Sequence, residues 1–449
     1  MKKLILILIA AATLSNGKGQ ETMSFSLEEA RAYAVEHSYF TQKALLDEEI
    51  ARQRVKETTA IGLPQLSASG DFNQFIDIPT TQIPAGAFGG DPNDPDFDPN
   101  ELIPVQFGTN YSITGGITLT QLIFDGSYIV GLQSAKTYRT LSEQARVKTE
   151  REIKDAVTQA YSSVIIAQEN TTTLQQNRDY LNQTYTETRA LYEAGFAEEQ
   201  DADQLKILLQ SAENQLDRAI RLEDISMNTL KFQMGISNET TITLKDNLET
   251  ILAYGADQSV LAQQFDVTTN IDFQLSETQA ELQERNLSLK KMQYAPSLSA
   301  FYNYQESYLN NDLTLSSDFW FPTSLWGLQL NVPIFSSFQR RYQVQQAELD
   351  LRKSQITIAE TEQNLRVDYL TRVTQYEFAL NQYKNNKDNL ALVSKILDKE
   401  TTKYNVGMSS SLNLANTQIQ FFEIQAAYIG SIQSLIEARS SLDKILNNY

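Results

Sequence analysis

The sequence predicts a mixed α and β protein built from one unit, helix–strand–strand–long helix–helix, used twice. Three observations carry that prediction. Segments recur in the same order: PQLSASGDFNQ from Pro64 matches PSLSAFYNYQE from Pro296, GITLTQLIFDGS from Gly116 matches GLQLNVPIFSSF from Gly327, and LYEAGF around Gly195 matches KYNVGM around Gly407. Such ordered self-similarity is the mark of a duplicated architecture. Two very long stretches, Tyr128–Tyr192 and Ser337–Tyr404, contain no proline and only one internal glycine, Gly131. Four short segments alternate apolar and polar residues with the period of a strand.

The elements follow in chain order. Residues 1–19 read as a secretory signal peptide, with Lys2 and Lys3 before the apolar run Leu4–Ala12 and cleavage expected before Gln20. The first repeat covers 20–236, with strands near 66–75 and 110–124, a long helix over 128–192 and a return helix over 201–234. Residues 237–269 form an equatorial segment between the repeats. The second repeat covers 270–449, with strands near 297–305 and 324–335, a long helix over 337–404 and a return helix over 413–446. The long helices would each run roughly 100 Å at 1.5 Å per residue. Gly195 and Gly407 stand where a helix end favours a residue free to take positive φ. The spacing between matches shrinks by the length of one loop, which places the extra residues in Ile76–Gly108, rich in proline and aspartate. Apolar positions on the second long helix (Val373, Tyr376, Leu380, Tyr383, Leu390, Val393, Leu397) have coiled-coil spacing. Polar interruptions such as Gln168, Thr171, Arg178 and Lys387 fit a hollow assembly with a wet inner face better than a solid bundle.

Composition narrows the chemistry. The 449 residues include no cysteine and one histidine, His37, which removes disulfides, thiolate chemistry, Cys-ligated metals and most His-based sites. A net charge of −19, about −22 once Lys2, Lys3 and Lys18 are lost, opposes nucleic-acid binding. No nucleophile elbow, phosphate loop or metal triad is present, so no catalytic residue, cofactor or metal is expected. Asp94, Asp96 and Asp98 have calcium-loop spacing, but Pro99 and Val105 occupy the positions of the required glycine and glutamate, which leaves a solvated, Pro-stiffened loop.

The strands carry the membrane expectation. In Asn110–Phe124, Tyr111, Ile113, Ile117, Leu119 and Ile123 share one face, and Ser112, Thr114, Thr118 and Thr120 the other. Ser324–Phe335 repeats this, with Trp326, Leu328, Leu330, Val332 and Ile334 against Gly327, Gln329 and Asn331. Apolar outside and small polar inside is the pattern of an outer-membrane barrel, and Tyr111, Phe124, Trp320, Trp326 and Phe335 are expected in its aromatic girdle. A soluble sandwich also alternates, but four strands are too few for one. Nor can four strands close a barrel, and an open edge is forbidden in lipid. Three copies would supply twelve strands and close the helices into a tube.

The opening FSLEEARAYAVEHS (Phe25–Ser38), the paired Pro-x-Leu-Ser strand starts and the paired Tyr-x-x-Gly turns resemble the TolC-like outer-membrane efflux proteins over nearly the whole chain. The resemblance implies a homotrimer with a twelve-stranded barrel in outer-membrane lipid, four strands per chain, on a long periplasmic α-helical barrel. It also implies a periplasmic adaptor (membrane fusion) protein and an inner-membrane RND, ABC or MFS transporter as partners. The turns at Gly195 and Gly407 would form a periplasmic gate. By resemblance Tyr404 matches a gating tyrosine and Asp201 its aspartate partner, while Ser409 replaces a usual arginine, and Asn413 and Asn416 replace a usual pair of aspartates.

From the residues alone, the acid at this mouth lies on the first hairpin: Glu193, Glu198, Glu199, Asp201 and Asp203. Two meanings stay open, a cation-favouring lumen or a solvated helix start whose acids complement the dipole. The function expected is a passive outer-membrane exit duct of a tripartite efflux system. The alternatives are the outer-membrane component of type I protein secretion and, in a different class, a periplasmic coiled-coil adaptor or scaffold.

Overall fold

A computed structural model describes residues 23–88 and 98–449. The expected signal peptide at 1–19 lies outside the described residues, as do Asp94 and Asp96. The protein is mixed α and β and predominantly helical. Its elements run β1 (Met23–Phe25), α1 (Leu27–His37), α2 (Tyr39–Ile61), β2 (Gln65–Gln74), β3 (Thr80–Pro84), β4 (Leu102–Gln106), β5 (Tyr111–Phe124), α3 (Gly126–Glu193) and α4 (Glu199–Met234). Then follow β6 (Ile242–Leu244), α5 (Leu248–Gly255), α6 (Ile271–Met292), β7 (Ser297–Asn310), β8 (Trp320–Asn331), α7 (Gln339–Asn405) and α8 (Ser411–Ile445), with short 3-10 turns between some of them. No helix among the described residues is long and apolar enough to cross a membrane.

The chain divides into two compact units, each assembled from both halves of the sequence. One comprises the chain up to Glu48, Ser142–Glu277 and Thr357–Tyr449. Its core gathers Ala30 and Ala34 of α1, Val157, Tyr161 and Val164 of α3, Leu230 and Met234 of α4, Ile251 of α5, Tyr376 of α7, and Ile432, Leu435 and Ile436 of α8. β1 pairs in parallel with β6, bringing the start of the described chain to the segment between the two long helix pairs. A half-buried carboxylate fixes this junction. Asp246 Oδ2 accepts from the Leu27 N–H (2.7 Å) and lies 2.9 Å from the Tyr161 hydroxyl, itself 2.9 Å from the Phe25 carbonyl. Ser26 caps α1 by accepting from the Glu29 N–H, and Glu29 reciprocates at the Ser26 N–H (2.8 Å). His37 ends α1, its ring stacked on Tyr33 with 4.1 Å between centroids.

The other unit comprises Glu49–Leu141 and Thr278–Ile356. Its centre is an antiparallel four-stranded sheet, order β2-β5-β7-β8. The register aligns the alternating faces. Leu66, Leu119, Tyr302 and Trp326 fall in one row, Phe72, Ile113, Tyr308 and Trp320 in another, and the polar row Ser69, Gly116, Gln305 and Thr323 lies on the opposite face. β2 and β8 are edge strands, each paired on one side only among the described residues.

Three local features differ from the sequence-based expectation. β7 runs five residues past 305, because its continuation pairs with the start of β8 as far as Tyr308–Trp320. β8 begins at Trp320 and stops at Asn331, four residues earlier at each end than the alternation indicates. Pro322 is tolerated on an edge strand, and Pro333, without an N–H, cannot extend the ladder. The loop Ile76–Gly108 carries a small hairpin of its own, β3 with β4, pairing Thr80 to Gln106 through Pro84 to Leu102.

Candidate functional site: the paired helix turns

Each long helix ends in the same backbone device. Gly195 has φ +81° and Gly407 φ +75°. The Gly195 N–H reaches the Tyr192 carbonyl and the Phe196 N–H the Leu191 carbonyl; the Gly407 and Met408 N–H groups reach Tyr404 and Lys403 in the same way. That is a Schellman closure, and it needs a residue free to adopt the left-handed region. A Cβ at either glycine would meet nothing within 4 Å, so the requirement is conformational rather than steric. The chain then re-enters helix at once. Asp201 accepts from the Glu198 N–H (3.3 Å) at the start of α4, and Ser410 Oγ accepts from the Asn413 N–H (3.3 Å) at the start of α8.

Hydroxyl groups join the two hairpins. The Tyr404 hydroxyl of α7 lies 2.8 Å from Thr188 Oγ1 of α3, and the Tyr180 hydroxyl of α3 donates to Thr401 Oγ1 of α7 (3.0 Å). The two bonds are reciprocal, a tyrosine and a threonine from each helix. Ser411 Oγ donates to Asp201 and lies 2.8 Å from Gln204 Oε1, tying α8 to α4. Farther along, Asn177 donates to Gln425 (3.0 Å). Under these links sits a small apolar cluster of Leu181, Leu205, Leu208, Leu209, Ala212, Leu414 and Ala415. The tips themselves are bare: Phe196 is 83% exposed and Met408 78%.

The expected gate residues are distributed accordingly. Burial raises the Tyr404 phenol above its usual pKa. Among the described residues of one chain, Tyr404 and Asp201 each hydrogen-bond to a hydroxyl group and not to each other. The buried hydroxyls nearest each of them, Thr188 and Ser411, take their bonds instead. Ser409 donates to Glu400, and Asn413 donates to Ser409 (3.4 Å). The donated bond from Ser409 holds the Glu400 carboxyl below the usual glutamate range, aided by Lys403 at 3.4 Å. Asn416 is exposed. Of the acids at the first turn, Glu193 pairs with Arg189 (3.0 Å), while Glu198, Glu199 and Asp203 are exposed. Thr188, Tyr180, Thr401, Glu400 and Ser411 were not singled out from sequence; threonines four apart on an otherwise apolar stripe, Thr184 and Thr188, were the available signal.

The aromatic residues expected at the barrel rims divide by position. Tyr111 and Phe124 are the two ends of β5, and Trp320 opens β8 with its ring 5.6 Å from that of Tyr308. Trp326 falls mid-strand opposite Tyr302, and Phe335 lies beyond the strand. Among the described residues no group of three or more His, Asp or Glu side chains is arranged to hold a metal ion.

The sequence profile described as outer membrane efflux protein matches residues 40–235 and 268–448. The chain belongs to the outer membrane efflux protein family. This is a family of channels, seated in the outer membrane with its helices in the periplasm. Its fold recurs in solved structures at low identity. CusC is 14% identical with a TM-score of 0.70, covering 97% of this chain and 95% of its own. VceC of Vibrio cholerae is 15% identical with a TM-score of 0.67, covering 94% and 95%. CmeC of Campylobacter jejuni is 16% identical with a TM-score of 0.68, covering 94% and 85%. No curated protein matches the chain significantly in sequence. In this member of the family, hydroxyl bonds join the paired turns.

Proposed function

We propose that this efflux protein is a passive exit duct, a homotrimer whose three four-stranded sheets form one twelve-stranded barrel and whose duplicated helix pairs form a tunnel. Substrate arrives from an inner-membrane pump of the RND, ABC or MFS type through a periplasmic adaptor. The observation that carries this is the sheet itself. It ends in two open edges, β2 and β8, and its apolar residues, including Leu66, Phe72, Trp326, Leu328 and Leu330, stand exposed. In water such a surface invites aggregation, and in lipid open edges are forbidden, so sister copies must complete the cylinder.

The turns at Gly195 and Gly407 act as the gate, with Tyr404, Asp201, Ser409, Asn413 and Asn416 around it. Opening separates the hairpins after the hydroxyl bonds between them break, each of which contributes only about 0.5–1.5 kcal/mol. The exposed acids Glu198, Glu199 and Asp203 favour cations at the entrance. Two measurements test the proposal. Deletion of the gene should sensitise cells to a panel of antibiotics, bile salts and dyes, and the purified protein should conduct in planar bilayers as a trimer. A lone subunit, monodisperse in detergent-free buffer, would refute it.

A further inference from the structure

We propose that the edge of the sheet from which the four helices leave binds anionic phospholipid headgroups, with Arg340 presenting its guanidinium to the lipid phosphate. The proposal rests on the outer-membrane placement given above. The register gathers Gln65, Phe124, Ser297 and Asn331 at one edge, through the pairs Gln65–Thr120, Phe124–Leu298 and Ser297–Asn331. The connections 75–110 and 311–319 leave the opposite edge.

Charge divides the same way. The helix-side segments 49–63, 125–141, 278–296 and 332–356 carry 12 Lys and Arg against 7 Asp and Glu, although the whole chain has a net charge of −19. The connections at the other edge carry 8 Asp and Glu and no Lys or Arg. Lys56, Lys290, Arg340 and Arg341 make no ion pair with a carboxylate among the described residues. Arg340 and Arg341 lie in the first turn of α7, Lys290 in the last turn of α6, and Lys56 five residues before the end of α2. At 1.5 Å per residue all four lie within roughly 8 Å of helix from the sheet side, which matches the headgroup layer beyond the hydrocarbon. Tyr294 and Tyr342, both about half exposed, share this level, where amphipathic rings are favoured.

A cavity of about 320 Å³ opens here, lined by Asp125, Gln293, Asn331, Gln339, Arg340 and Gln343 among others. Its one carboxylate is already engaged: Asp125 Oδ1 accepts from the Ser127 and Tyr128 N–H groups (2.7 and 3.1 Å), capping α3. Arg340 is thereby left to a ligand, and its planar fork suits a phosphodiester. The side-chain amides of Gln293, Gln339 and Gln343 supply further donors. A bilayer offers a fixed anion at this depth in its phosphatidylglycerol and cardiolipin phosphates, whereas the acidic edge repels them.

The test is native mass spectrometry of the full-length protein with phosphatidylglycerol or phosphatidylcholine, for wild type, Arg340→Gln and the triple variant K290Q/R340Q/R341Q. Phosphatidylglycerol should be retained over phosphatidylcholine, and each lost charge should weaken retention roughly fivefold, less so in high salt. Millimolar inorganic phosphate should not displace it. Equal retention of both lipids, no effect of either variant, or full displacement by phosphate would overturn the proposal. Flotation with phosphatidylcholine vesicles separates the two levels. A protein that inserts there yet shows no lipid preference removes this inference alone, and one that inserts in no vesicle removes the membrane placement with it.

Discussion

The reciprocal Tyr180–Thr401 and Tyr404–Thr188 bonds make the link between the two long helices, at the proposed gate, a matter of single hydroxyls. A double-mutant cycle on Tyr404→Phe and Thr188→Val should give a coupling of about 1 kcal/mol, read from thermal unfolding or from the frequency of open events in single-channel records. Glu400 behaves differently because it titrates. Its carboxyl is held low by the bond from Ser409, so its stabilising effect is complete above the ordinary glutamate range and is lost as pH falls through the depressed value. The stability gap between wild type and Glu400→Gln should therefore be present at neutral pH and vanish in acid. The ion pair of Arg439 with Asp443 (2.9 Å) is buried, and Tyr254 donates to the same carboxylate (2.8 Å). Asp443→Asn leaves the guanidinium only its longer ion pair with Asp257 (3.7 Å) and should cost about 1.5–3 kcal/mol by chemical denaturation. The position of Tyr404 was legible in sequence, because the glycine three residues on fixes where its helix ends. Its partner was not, because which hydroxyl faces the phenol depends on the rotational phase of α3 against α7, some 216 residues apart.

At the scale of elements, the glycine turns are the most exacting positions. Alanine at Gly195 or Gly407 meets open space yet must hold positive φ, so each substitution should cost about 1 kcal/mol and speed amide exchange in the last turn of its helix. Leu205→Ala, in the small cluster beneath the turns, should cost about 2–5 kcal/mol, a large fraction of what so few apolar residues supply. The helical class and the alternating strands were legible because period and length carry them. The hairpin of β3 and β4 was hidden: its strands are five residues long, contain Pro84 and Pro104, and flank a Pro- and Asp-rich run. The offset of β8 has a similar cause, since alternation persists through Val332 and Ile334 after Pro333 has ended the ladder. Hydropathy records which face a residue prefers and is silent on where pairing stops.

For the whole molecule, family and fold class were legible from the ordered repeats, and no local chemistry was needed to reach them. Subunit number was not written in any single segment; the proposed trimer rests on counting strands against the demand for closure. Detergent withdrawal from the purified protein should produce aggregation rather than a soluble lone subunit, as seen by light scattering. One further consequence follows from the strand order. β5 pairs with β7, so residues 111–124 must wait for residues 297–310 before the sheet can exist. Both compact units of the protein likewise take segments from both halves of the chain. A nascent chain emerging from its N-terminus can finish none of them until most of it has been delivered, and its half-made strands stay adhesive throughout. Such a polypeptide depends on being escorted, and loss of holding chaperones should deplete it before proteins whose contacts are local.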